Sequence, residues 1–149
     1  MALFKAGRFR LAAHRFGKVH ELLGYIDFYR NRHPCSELRA EVDELKRSSM
    51  LNRALCLLRV GHFHGALRAC NRVLEDHSSQ DSKALFRRAK AHLGLRDCAA
   101  ALRDARAALA QEPRSAEVSA LLAQIKSQLN EEAVDTAPMY ARMCQGLGG

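Results

Sequence analysis

The chain repeats itself. Residues 61–74, Gly-His-Phe-His-Gly-Ala-Leu-Arg-Ala-Cys-Asn-Arg-Val-Leu, return at 96–109 as Arg-Asp-Cys-Ala-Ala-Ala-Leu-Arg-Asp-Ala-Arg-Ala-Ala-Leu, an offset of 35. In both copies a turn precedes a large or apolar residue (Phe63, Cys98), a small one follows three later (Ala66, Ala101), and another apolar or small one four beyond that (Cys70, Ala105). Gly7, Phe9, Ala12 and Phe16 open the chain in the same order. Spacings of three and four residues put these positions on one helix face. Small residues there let paired helices approach closely, and large ones fill the space between pairs. A period of this length implies one helical hairpin per copy, each needing its neighbours to bury its apolar face.

The rest of the composition agrees with an all-α fold. Apolar residues make up 48% of 149 residues, with 6 Phe, 3 Tyr, 3 Pro and no Trp. No stretch alternates apolar and polar residues long enough to predict a strand. No apolar run reaches the roughly 20 residues needed to span a membrane. Between the first and second copies the offset is 54, so about 20 extra residues fall around Ile26 to Lys46. They predict a lengthened first hairpin broken by a loop near Asn31 to Ser36, with Pro34 as the stop and Ser36 capping a long helix towards Val60. The expected layout is a single domain: repeat one over 1–35, repeat two over 36–79, repeat three over 80–113 closed by Pro113, and a capping helix over 114–149. Val118, Leu121, Leu122, Ile125 and Leu129 form the apolar stripe of that cap. Pro138 is expected to break or kink it.

Catalytic and metal chemistry find no support in the residues. The five cysteines (Cys35, Cys56, Cys70, Cys98, Cys144) make no C-x-x-C or zinc spacing. Their odd number predicts a reducing compartment, the cytoplasm or nucleus. Cys70 and Cys98 fall at apolar repeat positions and read as small core residues. His62 and His64 lack a third ligand, His92 reads as a packing residue, and no Gly-rich phosphate loop occurs. Neither a metal nor a cofactor is expected, and the chain reads as a non-enzyme.

Charge is uneven. Residues 1–100 hold 19 Lys or Arg against 10 Asp or Glu, while the remainder holds 5 against 6. A basic front suits an acidic partner. Nucleic acid is one class, but no stacking aromatic platform or RNA-binding motif accompanies the charge. Residues 1–20 carry Lys5, Arg8, Arg10, Arg15 and Lys18 with no acid, as mitochondrial presequences do. The repeat register of Gly7, Phe9, Ala12 and Phe16 speaks against that reading.

These residues resemble the tetratricopeptide repeat (TPR), although the signature Trp is absent and Ala89 replaces a Gly. Three features are similar to the TPR half of large immunophilins, the FK506-binding proteins and larger cyclophilins. They are the string Lys83-Ala84-Leu85-Phe86-Arg87-Arg88-Ala89-Lys90, the long first hairpin, and the ending Met139-Tyr140-Ala141-Arg142-Met143. No stretch looks like a prolyl isomerase domain, so the chain resembles half of such a protein or a relative without the enzyme.

That resemblance implies a carboxylate clamp on a concave face, which in the family grips the Glu-Glu-Val-Asp tails of heat-shock protein 90 or the 70-kDa class. Three of its five side chains map to Asn52, Lys83 and Arg87. The other two, a Lys and an Asn, would fall before the chain starts and at Met1, so the sequence reads as a fragment or as a partial clamp that Lys5 supplements. Calmodulin, bound by some relatives near this ending, is a further partner that the Met139 to Met143 segment implies. The physical reading stands beside the likeness. Lys83 and Arg87 are four apart, share a helix face and repel modestly, and an anion between them relieves that repulsion. Lys90 and Arg59 lengthen the cationic stripe, and Phe86 and Leu55 offer apolar contact.

Overall fold

The computed structural model describes the backbone of residues 2–30 and 36–146, and side chains among them for residues 2–26 and 39–133. Its described residues form seven helices and no strand: α1 (Ala2–Lys5), α2 (Phe9–Arg30), α3 (Ser36–Arg59), α4 (Phe63–Asp76), α5 (Ser82–Gly94), α6 (Cys98–Gln111) and α7 (Ala116–Gly146). Each helix packs on the next in sequence, and α3, α5 and α7 also meet side by side. The expected loop near Asn31, with Pro34 and Cys35, lies outside the described residues. So do the side chains of Ser36, Cys144 and the Met139 to Met143 segment.

The repeat is written most plainly in its turns. Gly7, Gly61 and Arg96 adopt the left-handed conformation, with φ of +71°, +72° and +61°. At each, the amide donates to the carbonyl three residues back: Gly7 to Phe4, Gly61 to Leu58, Arg96 to Leu93. The following amide donates five back: Arg8 to Leu3, His62 to Leu57, Asp97 to His92. This is one Schellman closure used three times, satisfying carbonyls that a helix end leaves open. Glycine suits the left-handed residue. Arg96 holds it at a cost of about 1 kcal/mol.

Small residues carry the packing. Ala54, Ala66, Ala84, Ala89, Ala101, Ala105 and Ala108 are fully buried, as are Cys56, Cys70 and Val73, and Cys98 nearly so. Cys70 is thus a core residue, and burial pushes its thiol pKa up to about 12. Met50, Leu51, Val73, Leu74, Leu85 and Val118 form one cluster running from α3 to α7. Leu93, Cys98, Leu121 and Ile125 form a second, which closes the open end of the last hairpin. A third joins Ala12, Ala13 and Cys56, with Phe4, Phe9 and Phe16 against it.

One expectation is corrected. Pro138 does not break α7, which runs on to Gly146. A proline removes one backbone donor and crowds one carbonyl, and the hydrogen bonds on either side carry a long helix past it.

Candidate peptide-binding groove

The start of α5 is fixed twice, and this sets the groove. Asp81 caps the helix, its Oδ1 accepting from the Ala84 amide at 2.8 Å. Its Oδ2 accepts from Arg47 of α3, which also grips Glu44 through Nε at 2.7 Å and Nη2 at 2.8 Å. With α5 pinned to α3, the stripe Lys83, Phe86, Arg87 and Lys90 faces Leu55, Leu58 and Arg59 across a cavity of about 610 Å³. The capping helix supplies the third wall, with Glu117, Ala120, Leu121 and Gln124.

The cations of this wall are not equivalent. Lys83 is exposed and makes no hydrogen bond or ion pair among the described residues. The Lys90 ammonium sits 4.4 Å above the centre of the Phe86 ring, a cation–π contact that holds it over the groove. Arg87 is half-buried, and its Nη1 is shielded from solvent with no hydrogen-bond partner among the described residues. Burial pulls the Arg87 pKa below the ordinary guanidinium value, and nearby Cys70, Asp81 and Cys56 offset only part of this. A buried guanidinium N–H without an acceptor is costly.

The adjacent Arg88 does not line the groove and is paired within the fold. Its Nε and Nη2 donate to the two oxygens of buried Asp104, both at 2.7 Å, and Nη1 donates to Asn71 at 3.0 Å. These bonds raise its pKa. His92 joins the edge of this network, with Nδ1 3.4 Å from Asp97 and Nε2 3.9 Å from Asp104. Sequence reasoning missed Asp104. The signal was available, because Asp104 is a lone acid beside Ala105 at the small, buried positions of α6.

Six of the eight residues singled out from the sequence therefore line one cavity: Leu55, Arg59, Lys83, Phe86, Arg87 and Lys90. Asn52 and Lys5 are not among its lining residues. Asn52 is half-buried one turn before Leu55, and the cavity sits against the last turns of α3, where α7 closes it. Lys5 is exposed at the end of α1, which packs on α2. Glu117 and Gln124 were not anticipated as groove residues. Among the described residues no group of three or more His, Cys, Asp or Glu gathers as a metal would require.

No protein-family model matches the chain. Among solved structures, the first TPR domain of human RPAP3 superposes with a TM-score of 0.67, covering 89% of this chain and 87% of that one at 22% identity. Among curated proteins, the peptidyl-prolyl cis-trans isomerase FKBP4 of Homo sapiens is 29% identical over 144 residues, 97% of this chain. The chain has a TPR-like helical fold and is homologous to FKBP4 over 97% of its length. The Mus musculus protein is 30% identical over 146 residues, 98% of this chain. The TPR domain spans about a third of the length of these curated relatives, 30% and 31% respectively. The isomerase activity in their name is that of those proteins.

Proposed function

We propose that this TPR domain is a co-chaperone-like adaptor whose groove binds an acidic peptide by its free C-terminus. The observation that carries the reading is the row of three cations, Lys83, Arg87 and Lys90, lining one three-walled groove. A terminal carboxylate would be met by these cations, and charge-assisted bonds are the strong kind. Phe86, Leu55 and Leu58 would receive an aliphatic side chain one or two residues upstream. Homology to FKBP4 favours this class of partner, and the tails of heat-shock protein 90 or the 70-kDa class have the required chemistry. Such a partner places the chain in the cytoplasm or nucleus.

Calorimetric titration of an acidic pentapeptide with a free C-terminus, against the same peptide amidated, tests the reading. The free form should bind at least tenfold more tightly, and Arg87→Ala and Lys83→Ala should each erase most of that difference. Equal affinity for the two peptides sinks the clamp.

Glu117 favours a second reading. It places a carboxylate on the α7 wall of the same groove, which a purely acidic ligand would meet with repulsion. A TPR scaffold that takes a partner of mixed charge accounts for it. Glu117→Gln separates the two: tighter binding of the acidic peptide fits the clamp, and tighter binding of that peptide is not expected of a scaffold for mixed charge.

A further inference from the structure

A second cavity lies between α2 and the last turns of α3, away from the groove. It has a volume of about 360 Å³. Arg10 and His14 enter it from α2, Arg53 from α3, and His62 from the turn into α4, over a floor that includes Ala13 and Leu57. Among the described residues no carboxylate lines it. None of these four side chains makes a hydrogen bond or ion pair among the described residues. The acid that senses His14, Glu21, is already taken by Lys18 at 2.8 Å.

Two of the four are seated by glycines. The Arg53 guanidinium lies flat on Gly17, where a Cβ would stand 3.0 Å from Nη1 and 3.1 Å from Cζ. The His62 imidazole lies against Gly65, where a Cβ would overlap the ring. Glycine inside a helix costs about 1 kcal/mol relative to alanine, so the close approach at Gly17 is a local sacrifice of helix stability. The repeat register adds a contrast. His62 occupies the place that Asp97 holds 35 residues later, where the Asp97 carboxylate caps α6 by accepting from the Ala100 amide at 3.0 Å. The start of α4 has no side-chain cap. The second repeat thus replaces an acid with an imidazole at the mouth of a cationic cavity.

We propose that this cavity is a site for a phosphate dianion, either free phosphate or the phosphate monoester of a phosphorylated side chain. Two guanidinium forks match phosphate oxygens bidentately. The imidazoles of His14 and His62 add single N–H donors, and the volume admits the phosphate with a short stem.

The test is NMR titration of the intact chain with inorganic phosphate, O-phosphoserine and a phosphoserine tripeptide, with chloride at matched ionic strength as control. Saturable shifts at His14 and His62 are expected, and Arg53→Ala and Arg10→Ala should each weaken binding at least fivefold. Gly17→Ala should weaken it by displacing the Arg53 guanidinium while leaving the melting temperature the same or higher, which separates lost binding from lost folding. Tighter binding of the tripeptide than of inorganic phosphate identifies a phosphorylated side chain as the source; the reverse identifies a free phosphate. Shifts that chloride reproduces, or affinities that Arg10→Ala, Arg53→Ala and Gly17→Ala all leave unchanged, overturn the proposal.

Discussion

Arg87 and Arg88 are neighbours in sequence with opposite fates. Arg88 neutralises buried Asp104 through two bonds, so Arg88→Ala leaves an uncompensated carboxylate inside the fold. Urea denaturation should show a loss of about 3 kcal/mol. Arg87 has a buried donor with no acceptor, so Arg87→Ala should change stability by less than about 1 kcal/mol while weakening the acidic peptide. His20 gives a pH prediction at the same scale. Burial, then the charge of Arg72, lowers its pKa, with the charge of Lys46 adding to this and Asp76 and a backbone hydrogen bond to Lys46 opposing it. The folded state therefore prefers neutral His20, and the unfolded chain takes up the proton first. That stability is complete above the ordinary imidazole value and is lost as pH falls through it towards the lower folded value. Urea midpoints measured from about pH 7 to 5 should fall, and His20→Gln should flatten part of the slope. Of these fates the sequence carried only one hint, the lone acid Asp104 among the small residues of α6. The string Phe86-Arg87-Arg88 names two cations, but which one meets an acid depends on where α6 places Asp104.

Helices and turns were far more legible, because the repeat fixes them locally. Phe63, Ala66 and Cys70 announced the spacing of α4, and Cys98, Ala101 and Ala105 that of α6. Gly7 and Gly61 marked the left-handed turns, and their offset from one another revealed the longer hairpin of α2 and α3. The third turn was legible from the offset of 35 alone, since Arg96 breaks the glycine rule while keeping its geometry. At Pro138 the helix is not broken: the local rule is real, but a helix 31 residues long outlasts one lost bond. Glycine contacts divide the helices further. Gly24 is exposed with no atom within 4 Å of a built Cβ, so Gly24→Ala should stabilise by about 1 kcal/mol. Gly94 lies under the Phe63 ring, which a Cβ would strike. Gly94→Ala should destabilise by about 2 kcal/mol despite its better helix propensity, and paired thermal melts will show the opposite signs.

At the scale of the whole molecule, the groove is a product of stacking. Its α5 wall could be read from Lys83, Arg87 and Lys90, whereas Glu117 and Gln124 enter only because the solenoid brings the start of α7 beside α5. The same helix seals the core. Ile125 is fully buried, and Ile125→Ala should cost about 3 kcal/mol. Hydrogen exchange should then rise first in α7 and α6. Leu121 belongs to both structures at once, lining the groove and packing in the terminal cluster. A ligand that touches the α7 wall can do so only while α7 is docked, so docking and occupancy share one free energy. Saturation at 100 times the dissociation constant should then add about 2.7 kcal/mol to the stability of the docked state. By the same linkage, a variant that loosens α7 without touching the cations should bind more weakly, and excess ligand should restore its melting temperature.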